Sequence, residues 1–144
     1  MRRALLALGL ALGLAVPPAH AQFAVGGQAG SLGGATLRLP ARTPVAFVLD
    51  VALDGAEYLT AGLHVYAERA IPASPLHVYA APGVFGGTRD GLAFRRTTAG
   101  ARVHVGTGYY AGRFEVFLQA TPGLRVEPQL SPFVYAAVGL RYAL

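Results

Sequence analysis

The sequence predicts an all-β fold, an eight-stranded antiparallel up-and-down β-barrel, on three observations. Apolar and polar residues alternate with period two from about residue 22 to the C-terminus, Gly- and Pro-rich breaks cut that alternation into eight segments, and the charges inside the segments fall on one face. No 3.6-residue pattern runs for long after the N-terminal segment.

That segment is the first element. Arg2 and Arg3 precede an apolar run from Ala4 to Val16, which ends in Pro17-Pro18-Ala19-His20-Ala21. A basic start, about 13 apolar residues and an Ala-x-Ala site read as a secretory signal peptide over 1–21, cleaved after Ala21 to leave one domain over 22–144. The run is too short for a helix crossing ~30 Å of hydrocarbon.

The strands follow as 22–30, 34–40, 44–54, 57–69, 75–86, 97–107, 113–126 and 132–144. Turns belong at Gly30-Ser31, Pro40 to Pro44, Asp54-Gly55, Ile71 to Pro75, Asp90-Gly91, Gly108 to Gly112 and Glu127 to Pro132, where Gly supplies special φ and Pro removes a ladder donor. In the seventh segment Phe114, Val116, Leu118, Ala120, Pro122, Leu124 and Val126 share a wholly apolar face, opposite Glu115, Phe117, Gln119, Thr121 and Arg125. The third, fourth, fifth, sixth and eighth segments split the same way. The second, at about seven residues, is the shortest.

Alternation alone is compatible with a soluble periplasmic barrel that binds a hydrophobic ligand inside, or with a membrane barrel turned the other way. Charge decides between them. A soluble domain usually carries ~25–35% charged residues on its surface, whereas 13% of this chain is charged. The polar face mixes Arg, Glu, His, Tyr and Gln with Gly and Ala, as a narrow lumen packed with pairing side chains requires. Phe23, Phe47 and Phe114 open odd segments and Tyr142 nearly closes the last, which puts an aromatic belt at one membrane interface; Tyr109 and Tyr110 are expected to join it. The expected location is therefore the outer membrane. An even number of closed strands leaves no backbone unpaired in lipid.

Composition removes other classes. All twelve basic residues are Arg, and without Arg2 and Arg3 ten remain against seven acidic residues, too slight an excess for nucleic acid. With no cysteine there is no disulfide, thiolate nucleophile or zinc-thiolate site. Gly26-Gly27 and Gly33-Gly34 match no phosphate loop, and nothing in the chain calls for a cofactor.

The pattern as a whole resembles small eight-stranded outer-membrane barrels of the OmpA and OmpX kind, most specifically in the final segment Phe133-Val-Tyr-Ala-Ala-Val-Gly-Leu-Arg-Tyr-Ala-Leu144. The resemblance implies recognition of that last strand by the barrel-assembly machinery. Such strands commonly end in an aromatic residue; this one ends in Leu144, with Tyr142 two positions earlier. The group includes adhesins, structural proteins and a few lipid-modifying enzymes, so it implies location more than activity.

Three constellations stand out. His64, His77 and His104 lie on the polar face of consecutive strands. A hairpin centred near Ile71 pairs 64 with 77 and one centred on Asp90-Gly91 pairs 77 with 104, giving a cross-strand row that is a candidate transition-metal site or hydrogen-bonding filler. Arg38, Asp50, Glu68, Arg102, Glu115, Arg125 and Arg141 are expected to form a mutually neutralising lumen network, because an unpaired buried charge is costly. Arg89, Arg95 and Arg96 occupy the longest expected loop, Gly86 to Arg96, where they are available to the phosphates of a surface glycolipid. For a lipid-modifying enzyme, an activated serine is required, and Ser31, Ser74 and Ser131 all fall in turns with no Gly-x-Ser-x-Gly elbow. The expected role is structural or interactive, without catalysis.

Overall fold

The structure is a computed structural model that describes residues 23–40, 45–55, 58–90 and 95–144. The expected signal peptide at 1–21 lies outside the described residues, as does most of the Pro40 to Pro44 turn. Eight strands follow in order: β1 Ala24–Gly30, β2 Leu32–Leu39, β3 Val45–Asp54, β4 Tyr58–Ala70, β5 Leu76–Asp90, β6 Arg95–Ala111, β7 Phe114–Glu127 and β8 Ser131–Ala143. Each pairs antiparallel with the next, and β8 returns to β1 with Val25 opposite Tyr142 and Ala29 opposite Val138, so the sheet closes.

The turns are tight where glycine allows it. Gly55 (φ 59°) ends β3, and Gly112 (φ 62°) with Arg113 joins β6 to β7. Both need the left-handed region that a Cβ disfavours. Gly30-Ser31 is held from β8 instead: the Ser31 amide donates to Ala136 O at 3.0 Å and the Ala136 amide donates back to Ser31 Oγ at 2.8 Å.

The faces divide as the alternation predicts. Phe47, Leu49, Val51, Leu63, Val65, Val105, Val116, Leu118, Val138 and Leu140 stand exposed on the outer wall, Leu118 at 58%. Inside lie Arg38, Asp50, His64, Arg102, Glu115 and Arg141, each no more than 3% exposed. An apolar interior wrapped around a hydrophobic ligand is therefore the reverse of what the fold encloses. Outward charges sit only at the barrel ends among the described residues: Arg69 and Arg113 beside the turns at the end that holds Phe23 and Leu144, and Glu127 at the opposite end, while the exposed Arg96 lies in register with the lumen face on the part of β6 that projects past the wall.

Three expectations are corrected. β2 begins at Leu32, two residues before the expected start, because Gly33 pairs with Leu53 directly after the one-residue turn. The supposed loop from Gly86 to Arg96 is mostly ladder: Arg89 pairs with Arg96 and Asp90 with Arg95, leaving only 91–94 outside the described residues. Its Gly-Gly-Thr and Thr-Thr-Ala-Gly stretches lack an apolar face, but a hairpin projecting past the barrel wall has none to bury. β6 likewise runs on to Ala111, so alternation continues through its last residues. Tyr109 faces outward as expected, and Tyr110 turns into the lumen instead of joining the belt.

Glycine on the lumen face is matched to rings. His64 faces Gly83, His77 faces Gly108, Tyr79 faces Gly106, Phe117 faces Gly139 and Phe133 faces Gly123. A Cβ at Gly106 would stand 2.7 Å from the Tyr79 ring. The missing side chain gives each ring room to lie flat across the neighbouring strand, and eight strands then suffice to fill the interior.

Candidate functional site in the lumen

The lumen is stacked in layers. At the end that holds both Phe23 and Leu144, Glu115 on β7 receives Arg38 at 3.3 Å, Arg141 at 3.3 Å and His77 Nε2 at 3.2 Å. Glu68 on β4 accepts the hydroxyls of Tyr66 at 2.9 Å and Tyr110 at 2.7 Å, and Tyr110 in turn accepts from Arg38 at 2.9 Å. Arg141 lies 4.0 Å above the Phe117 ring, and His77 stacks on Tyr110 at 4.4 Å. A thin apolar layer of Val48, Tyr66, Tyr79, Ala81 and Phe117 separates this cluster from the next.

The middle layer centres on Asp50. Arg102 Nη2 donates to its two carboxylate oxygens at 2.9 and 2.7 Å. His64 Nε2 stands 3.4 Å from one oxygen and His104 Nε2 3.4 Å from the other. The two imidazole nitrogens are 3.2 Å apart, and His104 Nδ1 is 2.8 Å from the Thr121 hydroxyl. Gln119 bridges downward, donating to Gln28 at 3.1 Å and accepting the Tyr79 hydroxyl at 2.9 Å. At the far end Arg125 meets Asp54 at 3.2 Å beside Tyr58, Phe133 and Tyr135.

All seven expected network residues thus reach the lumen. Sequence reasoning missed Asp54, whose place beside a turn hid that it is the last inward residue of β3. With it the interior holds, among the described residues, four guanidiniums and four carboxylates, arranged as Arg38 and Arg141 with Glu68 and Glu115, Arg102 with Asp50, and Arg125 with Asp54. The charge balance is local as well as global, which is what burial in a low-dielectric interior demands.

The histidine row is corrected. β4 and β5 pair so that His64 faces Gly83, six residues from His77, and β5 and β6 pair so that His104 faces Ala81, four residues from His77. His77 therefore joins the Glu115 cluster. His64 and His104 come together instead, reaching over β5 from either side because only Ala81 and Gly83 lie between them. The third member is Asp50, and the group Asp50, His64 and His104 has the donor atoms of a metal site within 4.8 Å of one another.

Phe23, Phe47 and Phe114 are exposed on the outer wall near one end, and Phe114 packs against Tyr142 at 5.0 Å. Arg96 stands exposed at the opposite end, on the projecting β5–β6 hairpin with Arg89.

A closed antiparallel barrel of eight strands, apolar outside and ionic within, defines the class by fold: a small inside-out β-barrel. Its fold is similar to that in the crystal structure of the N-terminal β-barrel domain of Pseudomonas aeruginosa OprF, with a TM-score of 0.66 and 15% identity over 85% of this chain and 96% of that one. That likeness is one of fold. No protein-family model matches the chain, and no curated protein matches it.

Proposed function

We propose that the protein is an outer-membrane β-barrel with a structural or surface-interaction role, exported by its N-terminal leader, inserted by the barrel-assembly machinery and performing no catalysis. The observation that carries this reading is the inversion of the fold. Apolar side chains cover the wall and ion pairs fill the interior, and an exposed apolar surface that encircles a protein calls for lipid as its solvent. Phe23, Phe47, Phe114 and Tyr142 then lie at the interface nearer the chain termini, where aromatic rings suit the headgroup boundary.

The interactive surface is the β5–β6 hairpin. It projects past its neighbours, since β4 pairs with β5 only as far as Thr88 and β7 with β6 only as far as Ala99. Its strands carry Arg89 opposite Arg96, with Arg95 next in sequence, a charge type suited to glycolipid phosphates. A hydrolytic reading lacks support from the serines: the Ser31 hydroxyl is held by Ala136, and the Ser74 hydroxyl accepts the Leu76 amide at 3.2 Å.

Membrane fractionation followed by electrophoresis of heated and unheated samples tests the reading. Recovery with the outer membrane, and a mobility that changes on boiling, is the expected result. Recovery in the soluble periplasmic fraction would remove it.

A further inference from the structure

We propose that Asp50, His64 and His104 form a binding site for one divalent transition-metal ion, zinc by preference, enclosed within the barrel. His64 Nε2 and His104 Nε2 are 3.2 Å apart, and each stands 3.4 Å from a different oxygen of the Asp50 carboxylate. An ion placed among them is ligated by both imidazoles and the carboxylate, at the ordinary Zn–N and Zn–O distance of about 2.0–2.2 Å. Two imidazoles and a carboxylate are also a donor set that zinc accepts readily.

Three features of the surroundings fit an ion. Two Nε2 atoms facing each other at 3.2 Å require a proton between them, and a cation replaces it, each ring then keeping its proton on Nδ1. Thr121 stands ready to hold that proton on His104, the outer support that metal-bound histidines usually have. Gly62 leaves a notch at the site: a Cβ there would come within 3.0 Å of Asp50 Oδ1, His64 Nε2 and Arg102 Nη2.

Arg102 is the counter-ion of the metal-free form. It uses a single nitrogen on Asp50, whose carboxylate has lone pairs to spare, so guanidinium and metal can share it. The ion nevertheless adds charge to a balanced lumen, which makes the site reversible rather than permanently filled.

The test uses the protein without an affinity tag, unfolded with chelator and refolded into micelles in the presence of zinc alone. About one zinc per folded chain is expected after dialysis, with a raised midpoint of thermal unfolding. His64→Gln and His104→Gln should lose the ion, His77→Gln should keep it, and Thr121→Val should weaken binding by ~10–100-fold. Heat-dependent mobility reports that each variant has folded. Cobalt in the wild-type protein supplies a reading that needs no variant: a tetrahedral absorption spectrum is expected. Folded wild-type protein without zinc, equal retention in the His64 and His104 variants, or an octahedral cobalt spectrum would each overturn the proposal.

Discussion

Arg102 shows how much a single side chain in this interior is asked to do. It is 1% exposed, holds Asp50 through two short contacts and lies 4.8 Å over the Phe85 ring. Removing Arg102 leaves the buried Asp50 carboxylate without its guanidinium, with only the His64 and His104 imidazoles 3.4 Å away. Arg102→Met is therefore expected to cost ~3–5 kcal/mol, measured by urea unfolding of the refolded barrel. The double variant Asp50→Leu with Arg102→Met removes both charges and should regain most of that loss, since a packed apolar pair replaces a buried ionic one at little net cost. Equal destabilisation of the single and double variants would mean that the pair acts through shape and not through charge.

At the scale of the strand, the two faces obey opposite rules. On β7, Leu118 points outward opposite Thr107 and Val138, while Gln119 points inward to Gln28 and Tyr79. Leu118→Arg puts a charge into hydrocarbon and is expected to destabilise the folded barrel by ~2–4 kcal/mol if it lies near the midplane, read from equilibrium refolding into lipid vesicles. The same substitution tested at Val126, close to the end of β7, should cost less because the headgroups are near. A flat cost along the strand would contradict a lipid-facing wall. Element lengths also carry information: β1 and β2 have 7 and 8 residues, whereas β5 and β6 have 15 and 17. The barrel is low on one side and tall on the other, and the tall side bears the arginine hairpin.

For the whole molecule, ionic and aromatic layers cross the lumen at three levels among the described residues. Eight strands enclose little more than their own side chains, and here Glu115, Asp50 and Asp54 each anchor a cluster that crosses the lumen. Vesicles carrying the folded protein should accordingly release a small neutral sugar no faster than protein-free vesicles. Steady release proportional to protein content would show that the layers part readily.

The sequence by itself determined the strand count, the alternation and the identity of the inward and outward faces. All of these follow from period two, which survives errors in placing turns. His64 was expected opposite His77 and faces Gly83 instead, yet a slip of six residues is even, so both residues stay on the lumen face. The same tolerance let the network from Arg38 to Arg141 be named before its partners were known. Only the tertiary structure decided which lumen residues meet. That depends on where each hairpin turns, on small residues such as Ala81 and Gly83 that let rings reach over a strand, and on closure of β8 against β1, which brings distant strands to face one another across the lumen. Asp54 as the partner of Arg125, and Asp50 as the companion of His64 and His104, are contacts across a closed barrel, and no periodicity along one strand encodes the distance across it.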